Sequence, residues 1–185
     1  KFKFNEQVKD IHGLDAPIVS TNKEDIPFDK VIICAGVKTQ EFRNKFGDNF
    51  RIYPVKGYSI TIDLHDEISR NAAPFISIKD DNNKIVSSRL GNRLRVAGTA
   101  ELAGENKEIR KERITPLVEW VNDCFPEINT DNFITWAGLR PMTSDMVPVM
   151  RESKRKNVFY NSGHGHLGWT MAAFAAKFIS DLIED

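Results

Sequence analysis

The sequence has little cysteine, no excess of charge of either sign and no long apolar run. Its 185 residues contain two cysteines, and lysine plus arginine equal aspartate plus glutamate at 26 each. A balanced charge argues against nucleic acid as a partner, because nucleic-acid-binding proteins usually show a basic excess. Apolar stretches such as residues 31–35 are far shorter than the roughly 20 residues that span a bilayer.

The two cysteines are expected to be buried free thiols. Cys34 and Cys124 lie in apolar stretches, and neither has a second cysteine or a histidine at a metal-ligand spacing. Such cysteines are usually packed in the core of proteins from reducing compartments. The chain begins with Lys1 and no apolar signal region follows it, so we expect a fragment of a longer protein.

Hydrophobic patterns predict two kinds of sheet. Residues 31–35 form a continuous apolar run bounded by Asp29 and Gly36, which is typical of a parallel strand buried on both faces. From Tyr53 the pattern alternates, with apolar side chains at every second position of residues 58–64. Alternation of this kind predicts an antiparallel sheet with one face in water.

A hairpin is predicted in the same antiparallel sheet. Gly91-Asn92 is a two-residue turn signal with glycine first, and it separates residues 85–90 from residues 93–97. Residues 75–78 should begin a further strand, which ends in the turn-forming residues 80–83.

One helix is expected to cover this sheet. Apolar residues recur at helical spacing over 117–125, and Pro126 stops the pattern. Thr115 and Pro116 are suited to the N-cap and the first helical position. An earlier start, with a proline kink inside the helix, is the alternative.

The C-terminal region predicts a strand, a glycine-rich turn and a helix. Residues 158–160 form the strand and residues 169–183 the helix, which is apolar on most sides. Gly163, Gly165 and Gly168 between them match G-x-G-x-x-G, but the dinucleotide motif needs a second strand about 20 residues later. We therefore interpret the turn as a source of backbone N–H groups for an electron-rich ligand. The alternative is a tight turn whose glycines only relieve strain.

Arg140 is the other candidate for binding. It lies near the end of a predicted strand, between Leu139 and Pro141, where its planar guanidinium would bind a carboxylate through two hydrogen bonds. A solvated arginine or a surface ion pair is an equally simple interpretation. The alternating His164 and His166 are weak evidence for a metal, and no metal site is expected.

Four segments in order resemble the D-amino-acid oxidase superfamily of FAD-dependent oxidoreductases, and within it the D-amino-acid dehydrogenases. They are residues 28–36 (FDKVIICAG), 53–58 (YPVKGY), 136–143 (WAGLRPMT) and 162–170 (SGHGHLGWT). The resemblance extends over essentially the whole chain. The last two segments are highly specific, whereas the first is a generic strand of FAD-binding sheets.

The resemblance implies roles for particular residues. Arg140 would bind the substrate carboxylate and act in catalysis. Lys56 and Tyr58, at the start of the strand that forms the floor of the active site, would be further substrate-binding residues. The predicted cofactor-binding residues would contact FAD: Ala35, Gly36, Gly163, His164, Gly165, His166, Leu167 and Gly168. Relatives often carry an aromatic residue about where Asn83 stands here, which leaves the chemistry of the substrate pocket open.

The resemblance also implies the architecture. The fold should be α/β, with part of a Rossmann-like FAD-binding sheet and an antiparallel or mixed substrate-domain sheet under a covering helix. Residues 1–51 and 138–185 would belong to the FAD-binding domain and residues 52–137 to the substrate-binding domain. The first strand, glycine loop and acidic ribose ligand of the family would precede Lys1, in an N-terminal half that is a partner of this chain.

The implied activity is oxidation of D-amino acids to 2-oxo acids and ammonia, with hydride transfer to flavin and electrons passed to a quinone or another electron-transfer acceptor. Two alternatives are a glycine- or sarcosine-oxidase-like enzyme and a non-catalytic fragment. We expect the chain alone to be inactive and to bind FAD weakly or not at all. The resemblance implies a cytoplasmic protein, whose membrane attachment, if any, is peripheral and on the inner face of the bacterial inner membrane.

Overall fold

A computed structural model describes residues 1–184 as a mixed α/β fold, which confirms the predicted fold class. The chain divides into two compact units. Unit 1 comprises Lys1–Tyr53 and the residues from Arg140 onward, and unit 2 comprises Pro54–Leu139. Unit 2 is therefore one continuous stretch of chain, whereas unit 1 is assembled from both ends.

The described residues form eleven strands and four α-helices. The strands are β1 (Val8–His12), β2 (Ile18–Thr21), β3 (Asp25–Pro27), β4 (Val31–Ile33), β5 (Tyr53–Asp63), β6 (Ile78–Asp80), β7 (Ile85–Leu90), β8 (Arg93–Glu101), β9 (Phe133–Met142), β10 (Val149–Glu152) and β11 (Val158–Ser162). The helices are α1 (Thr39–Phe46), α2 (Glu67–Ala72), α3 (Lys111–Cys124) and α4 (Ala172–Glu184). A short 3₁₀ helix, Gly36–Lys38, precedes α1. Within residues 1–184, no helix has both the length and the apolar character needed to cross a bilayer.

Unit 1 contains two three-stranded sheets. One has the order β1-β2-β3, and the other has the order β10-β11-β4. In the second sheet β10 is antiparallel to β11, whereas β11 is parallel to β4. Val158 and Tyr160 of β11 are fully buried and pack in a core with Ile11 and Ile33.

Strand β4 confirms the predicted parallel pairing but not the predicted burial. Ile33 is buried, whereas Ile32, on the opposite face, is 43% exposed. In the described part of the chain β4 is the outer strand of its sheet. The continuous apolar run of residues 31–35 therefore has only one face covered by residues 1–184.

Unit 2 contains the predicted antiparallel sheet. Its strand order is β6-β7-β8-β5-β9, and Gly91 forms the β7–β8 turn with a φ of +63°. Both β7–β8 and β5–β8 are antiparallel, which confirms the hairpin and its place beside β5. The side chains of Ile60, Ile62 and Leu64 are fully buried, and each such side chain contributes about 1.5–3 kcal/mol through the hydrophobic effect.

Helix α3 covers this core and follows the alternative with the earlier start. It begins at Lys111 and contains Pro116, so the prediction of Thr115 as N-cap is wrong. Pro116 is the sixth residue of this helix, beyond the first turn, so its missing N–H removes one i to i−4 hydrogen bond. Leu117 and Val121 are the most buried residues of the helix, and both pack against the sheet core.

The turn after β6 is organised by one carboxylate. Asp80 Oδ1 accepts from the backbone N–H of Asn82 at 2.9 Å and of Asn83 at 3.0 Å, and Oδ2 accepts from Trp120 Nε1 at 2.8 Å. Hydrogen bonds from Asn83 and then from Trp120 lower the pKa of Asp80 to about 2. The carboxylate therefore connects the turn to α3. Strand β6 starts at Ile78, so the prediction that residues 75 and 76 belong to this strand is wrong.

Asp80 should give the protein a pH-dependent stability. Because its folded pKa lies below the unfolded value of ~4, the ionised carboxylate stabilises the fold above that pH, and the contribution is lost as pH falls toward about 2. Asp80→Asn should therefore be less stable than the wild type at neutral pH, with a difference in unfolding free energy that narrows through this window. Urea unfolding of both proteins across the pH range measures it. A difference that stays constant with pH would rule out the carboxylate as the cause.

Cys34 and Cys124 are free cysteines, but both are exposed, so the prediction that they are buried is wrong. Cys34 follows the last residue of β4, and Cys124 is the last residue of α3. Each thiol thus lies at the end of its strand or helix. The apolar pattern of the sequence extends to this end, but the backbone there has left the core.

Candidate functional site

The candidate site in unit 1 is built on the parallel pair β4 and β11. Val31 is paired with Val158 and Ile33 with Tyr160, so both strands end at the same edge of the sheet. The turn containing Ala35 and Gly36 follows β4 directly, and the glycine turn, residues 163–168, follows β11 directly. The carboxyl edge of parallel strands is where α/β proteins bind nucleotides.

A buried serine joins these two turns. Ser162, the last residue of β11, donates from Oγ to the carbonyl oxygen of Gly36 at 3.1 Å. The same hydroxyl accepts from Thr39 Oγ1, in the first turn of α1, at 2.9 Å. Ser162 and Thr39 are both buried. The structure thus brings two sets of predicted cofactor-binding residues, Ala35 with Gly36 and the residues after Ser162, to one place.

Two of the three motif glycines are required by the backbone and by packing. Gly163 and Gly165 have φ values of +81° and +56°, a region that disfavours other residues. A Cβ on Gly163 would lie 2.9 Å from Thr143 Cγ2, and one on Gly165 would lie 2.6 Å from Met142 Sδ. Relief of strain therefore explains both glycines. Gly168 has neither a positive φ nor a contact below 3.4 Å.

The glycine turn is attached to the end of β9. Gly165 N–H donates to the carbonyl of Pro141 at 2.9 Å, and Met142 forms an isolated antiparallel bridge with His164. Leu167 N–H donates to the His164 carbonyl at 3.0 Å. These bonds fix the turn firmly. They also occupy two of the backbone donors that the sequence assigned to a ligand.

The last helix begins three residues later than predicted. Strand β11 and the glycine turn are confirmed, but α4 starts at Ala172 rather than at Trp169. Ala172 N–H donates to the Trp169 carbonyl at 3.2 Å, a tight i to i+3 bond, so residues 168–171 form a turn before the helix. The start of α4 is consequently separated from the glycines by one additional turn.

Several buried polar atoms lie in or beside this turn. Among residues 1–184, Asn161 Oδ1, Thr143 Oγ1 and His164 Nε2 are buried without a hydrogen-bond partner. Such atoms are uncommon in folded proteins. Burial also lowers the pKa of His164, which favours the neutral imidazole. Met142, Thr143, Met146 and residues 163–167 line a cavity of about 40 Å³.

Arg140 lies in β9, two residues before the end of the strand. Its side chain is partly buried, and burial lowers the pKa of its guanidinium. A fully solvated arginine, one of the two simple interpretations, is therefore excluded. Because arginine stays protonated in proteins, this position holds a partly desolvated positive charge.

Lys56 and Tyr58 lie in a buried network of unit 2. Both side chains are almost completely inaccessible, and both contact Glu101. Lys56 Nζ lies 3.0 Å from Glu101 Oε2, and the Tyr58 hydroxyl donates to the same carboxylate oxygen. Their polar atoms are thus engaged inside the unit, and a direct contact with substrate stays a prediction.

Sequence reasoning missed Glu101, Thr143 and Asn161. Glu101 ends a strand whose alternation would place it on the wet face, and Thr143 and Asn161 are ordinary polar residues beside recognised motifs. The only available signal was proximity: Thr143 follows Met142 in one specific segment, and Asn161 precedes the other.

Comparison with known proteins defines the class. The DAO family of FAD-dependent oxidoreductases matches residues 1–182, and the chain belongs to that family. It is 49% identical over 156 residues to D-amino acid dehydrogenase 3 of Mesorhizobium japonicum, covering 84% of this chain and 38% of that protein. It is 37% identical over 187 residues to D-amino acid dehydrogenase of Vibrio vulnificus, covering 98% of this chain and 44% of that protein.

Solved structures agree on the fold. Glycine oxidase from Bacillus cereus matches with a TM-score of 0.82 at 24% identity, over 97% of this chain and 50% of that one. Glycine oxidase from Geobacillus kaustophilus matches with a TM-score of 0.83 at 21% identity, over 97% of this chain and 48% of that one. The chain thus spans about half the length of these oxidases, and 38–44% of the length of the dehydrogenases above.

The residues of unit 1 fit the FAD of this family. Gly36 has a φ of +57°, and a Cβ built there would meet no atom within 4 Å, so the turn after β4 is open. Near the turn after β11 lie the unpartnered buried atoms of Asn161 and His164. An open turn and unsatisfied polar atoms at one carboxyl edge suit a ligand that carries both hydrogen-bond donors and acceptors.

Proposed function

We propose that this chain is the C-terminal part of an FAD-dependent enzyme that oxidises D-amino acids to 2-oxo acids and ammonia. The observation that carries the proposal is the shared carboxyl edge of β4 and β11, where Ser162 ties the Gly36 turn to the glycine turn. Relatives named D-amino acid dehydrogenase, 36–49% identical to this chain, support the choice of substrate.

In this proposal Arg140 binds and orients the substrate. Its guanidinium takes the α-carboxylate through two charge-assisted hydrogen bonds, which fixes the direction of the Cα–H bond. Orientation of this kind accounts for several kcal/mol of a reaction barrier. The partial burial of Arg140 strengthens its attraction for an anion, because less water competes for the charge.

The glycine turn serves the cofactor in the proposal. FAD, when bound, supplies the acceptor for the hydride that leaves Cα. When FAD is bound, residues 163–168 would offer backbone N–H groups to its pyrimidine edge, where negative charge develops, and such donors would stabilise that charge. The N–H groups of Gly165 and Leu167 are excluded from this role because they donate to the carbonyls of Pro141 and His164. A substrate that binds with a neutral amine needs no protein base.

The electron acceptor is proposed to be a quinone or another electron-transfer partner. The second candidate is a glycine- or sarcosine-oxidase-like activity with oxygen as acceptor. The structural similarity to glycine oxidases favours it, although that similarity shows the fold alone. Oxygen uptake by the complete flavoprotein, measured against reduction of an artificial quinone with D-alanine and with glycine, separates the two. Rapid oxygen uptake with glycine and no quinone reduction would select the oxidase.

Residues 1–185 expressed alone should be colourless. They contain no glycine loop followed by a second strand that ends in an acidic residue. In dinucleotide-binding folds this combination binds the pyrophosphate and ribose of FAD. We therefore propose that a preceding segment supplies these groups, and that the chain without it is inactive. The measurement is the flavin absorbance of the purified chain after incubation with FAD and desalting. Stoichiometric flavin in residues 1–185 would refute the proposal that an N-terminal half is needed.

A further inference from the structure

The loop between β9 and β10, residues 143–148, exposes an apolar tip that the proposed function does not use. Met146 is 55% exposed and Val147 is 59% exposed. Met146 N–H donates to the Thr143 carbonyl at 3.4 Å, and Val147 N–H donates to Asp145 Oδ1 at 3.1 Å. These bonds give the loop a defined turn, which holds two apolar side chains at the surface.

The backbone of this tip is strained. Met146 has a φ of +64°, in the left-handed region, where glycine, asparagine and aspartate are the favoured residues. Strain of this kind is concentrated at functional sites. A long apolar side chain that is held in solvent at a cost in backbone energy is expected where a partner covers it.

Two arginines lie beside the tip. Val147, Arg51 and Arg151 line one open groove of about 390 Å³. The Arg151 guanidinium is fixed there, because it lies 5.5 Å from the centroid of the Phe50 ring and donates from Nη2 to the Asn49 carbonyl at 3.2 Å. Both arginines are exposed. The groove therefore presents two positive charges next to an apolar side chain.

Positive charge is locally in excess along β10, although lysine plus arginine equal aspartate plus glutamate in the whole sequence. Residues 48–51 and 143–156 contain five basic and three acidic residues. One of these acids, Asp48, is buried, and its carboxylate accepts from the hydroxyls of Ser153 and Tyr160. The surface of this part of unit 1 thus complements an anionic partner.

An anionic lipid surface fits this combination of charge and apolar tip. Basic side chains are attracted to the negative surface of a bilayer, and apolar side chains enter the boundary between headgroups and acyl chains. A protein partner in an interface of standard size covers about 800 Å² on each side. Two exposed apolar side chains on one short loop provide much less than that.

The loop also lies against the glycine turn, within unit 1. A Cβ on Gly163 would lie 2.9 Å from Thr143 Cγ2 and 3.5 Å from the backbone nitrogen of Val149, so both ends of the loop are close to that turn. Met146 and His164 line the same small cavity. A bilayer that covers the loop is therefore close to the glycine turn, and it carries dissolved quinones.

We propose that residues 143–148, together with Arg51 and Arg151, dock on an anionic membrane surface. Met146 and Val147 enter the headgroup region, and the two arginines bind lipid phosphates. The supply of a quinone acceptor through this contact rests on the proposed function, whereas the docking itself does not.

Vesicle binding by the complete flavoprotein tests the surface. The probes are sedimented vesicles of phosphatidylcholine, with and without phosphatidylglycerol. Arg51→Gln should lower the partition constant for the anionic vesicles about fivefold, the contribution of one basic residue at such a surface. Val147→Ser should lower it about tenfold, because an apolar side chain no longer leaves water. High salt should remove the effect of Arg51→Gln but not that of Val147→Ser.

The matched controls lie elsewhere on the chain. Arg113→Gln replaces an exposed arginine of α3, and Leu14→Ser replaces a leucine that is 86% exposed. Both should bind anionic vesicles as the wild type does. A wild-type protein that does not bind these vesicles, or an equal loss of binding in Leu14→Ser and Val147→Ser, would overturn the inference.

Insertion of the tip is measured with an added indole. In Val147→Trp, brominated anionic lipids should quench more of the fluorescence than they quench in the wild type. In Leu14→Trp the additional indole should stay unquenched. Quenching in Val147→Trp that does not exceed the quenching in Leu14→Trp would show that the tip stays outside the bilayer and would overturn the inference.

Quinone reduction at limiting vesicle concentration links the surface to the proposed function. Val147→Ser and Arg51→Gln should reduce ubiquinone in anionic vesicles at least fivefold more slowly, with wild-type rates toward a water-soluble quinone and wild-type flavin reduction by D-alanine. Equal slowing toward both quinones would contradict a role in docking. A wild-type flavin that no D-amino acid reduces would instead refute the proposed function, while vesicle binding still decides the docking.

Discussion

Arg140→Ala in the complete flavoprotein is expected to lower kcat/KM for D-amino acids by a factor of a hundred or more. The loss corresponds to a charged, positioned contact of about 3 kcal/mol. FAD content should stay normal, because the proposal assigns Arg140 to substrate. The control is Arg113→Ala, which removes an exposed arginine from α3 and should change kcat/KM less than twofold.

Arg140→Lys should fail to restore activity. A lysine ammonium is a single point charge and cannot hold both carboxylate oxygens in the geometry of the guanidinium. We expect a higher KM together with a slower limiting rate of flavin reduction, because the contact orients substrate as well as binding it. Anaerobic stopped-flow reduction measures both. Wild-type reduction rates and substrate Kd in Arg140→Ala would show that the arginine has only a structural role.

Gly165→Ala should greatly weaken FAD binding. The substitution adds a Cβ in the left-handed region, at a cost of about 1–2 kcal/mol, and places it 2.6 Å from Met142 Sδ. The turn must then shift away from the end of β9, and its remaining donors leave the cofactor edge. We expect the Kd of the complete protein for FAD to rise tenfold or more, as measured by flavin fluorescence during titration of the apoprotein.

Gly91→Ala is the matched control for this prediction. Gly91 has a φ of +63°, close to that of Gly165, but its Cβ position meets no atom within 4 Å. Both variants should lose a similar amount of thermal stability from the backbone alone. Only Gly165→Ala should lose FAD. Equal FAD affinity in the two variants would remove the glycine turn from the cofactor site.

The sequence predicts those parts of the fold that depend on local signals. The Gly91 turn with its flanking strands, the strand and turn around residues 158–168 and the parallel nature of β4 are specified by neighbouring residues, and all are present. For the start of α3 the sequence left two possibilities, since Pro116 is compatible with the first turn of a helix and with a position inside it. The structure selects the second.

The features that could not be predicted depend on tertiary pairing. The register of β8 against β5 shifts between Gly98 and Glu101, which places the Glu101 carboxylate on the buried face, whereas alternation along β8 alone would have placed it in water. The sequence overestimates the burial of Cys34 and Ile32. An apolar run shows that a strand can be buried on both faces, whereas its actual exposure depends on which other elements pack against it. The hydrogen bond between Ser162 and Gly36 joins residues that no spacing rule connects.

The division of the chain has a consequence for how it folds. Unit 2 is continuous, and its hairpin pairs residues that are neighbours in sequence, so its contacts close short loops at little entropic cost. Unit 1 pairs Val31 with Val158, about two thirds of the chain apart, and pairings between distant residues form slowly. During synthesis on the ribosome, unit 2 is complete before β11 has been made, so β4 does not yet have β11 to pair with. The edge that brings Gly36 and Gly163 together is therefore assembled last.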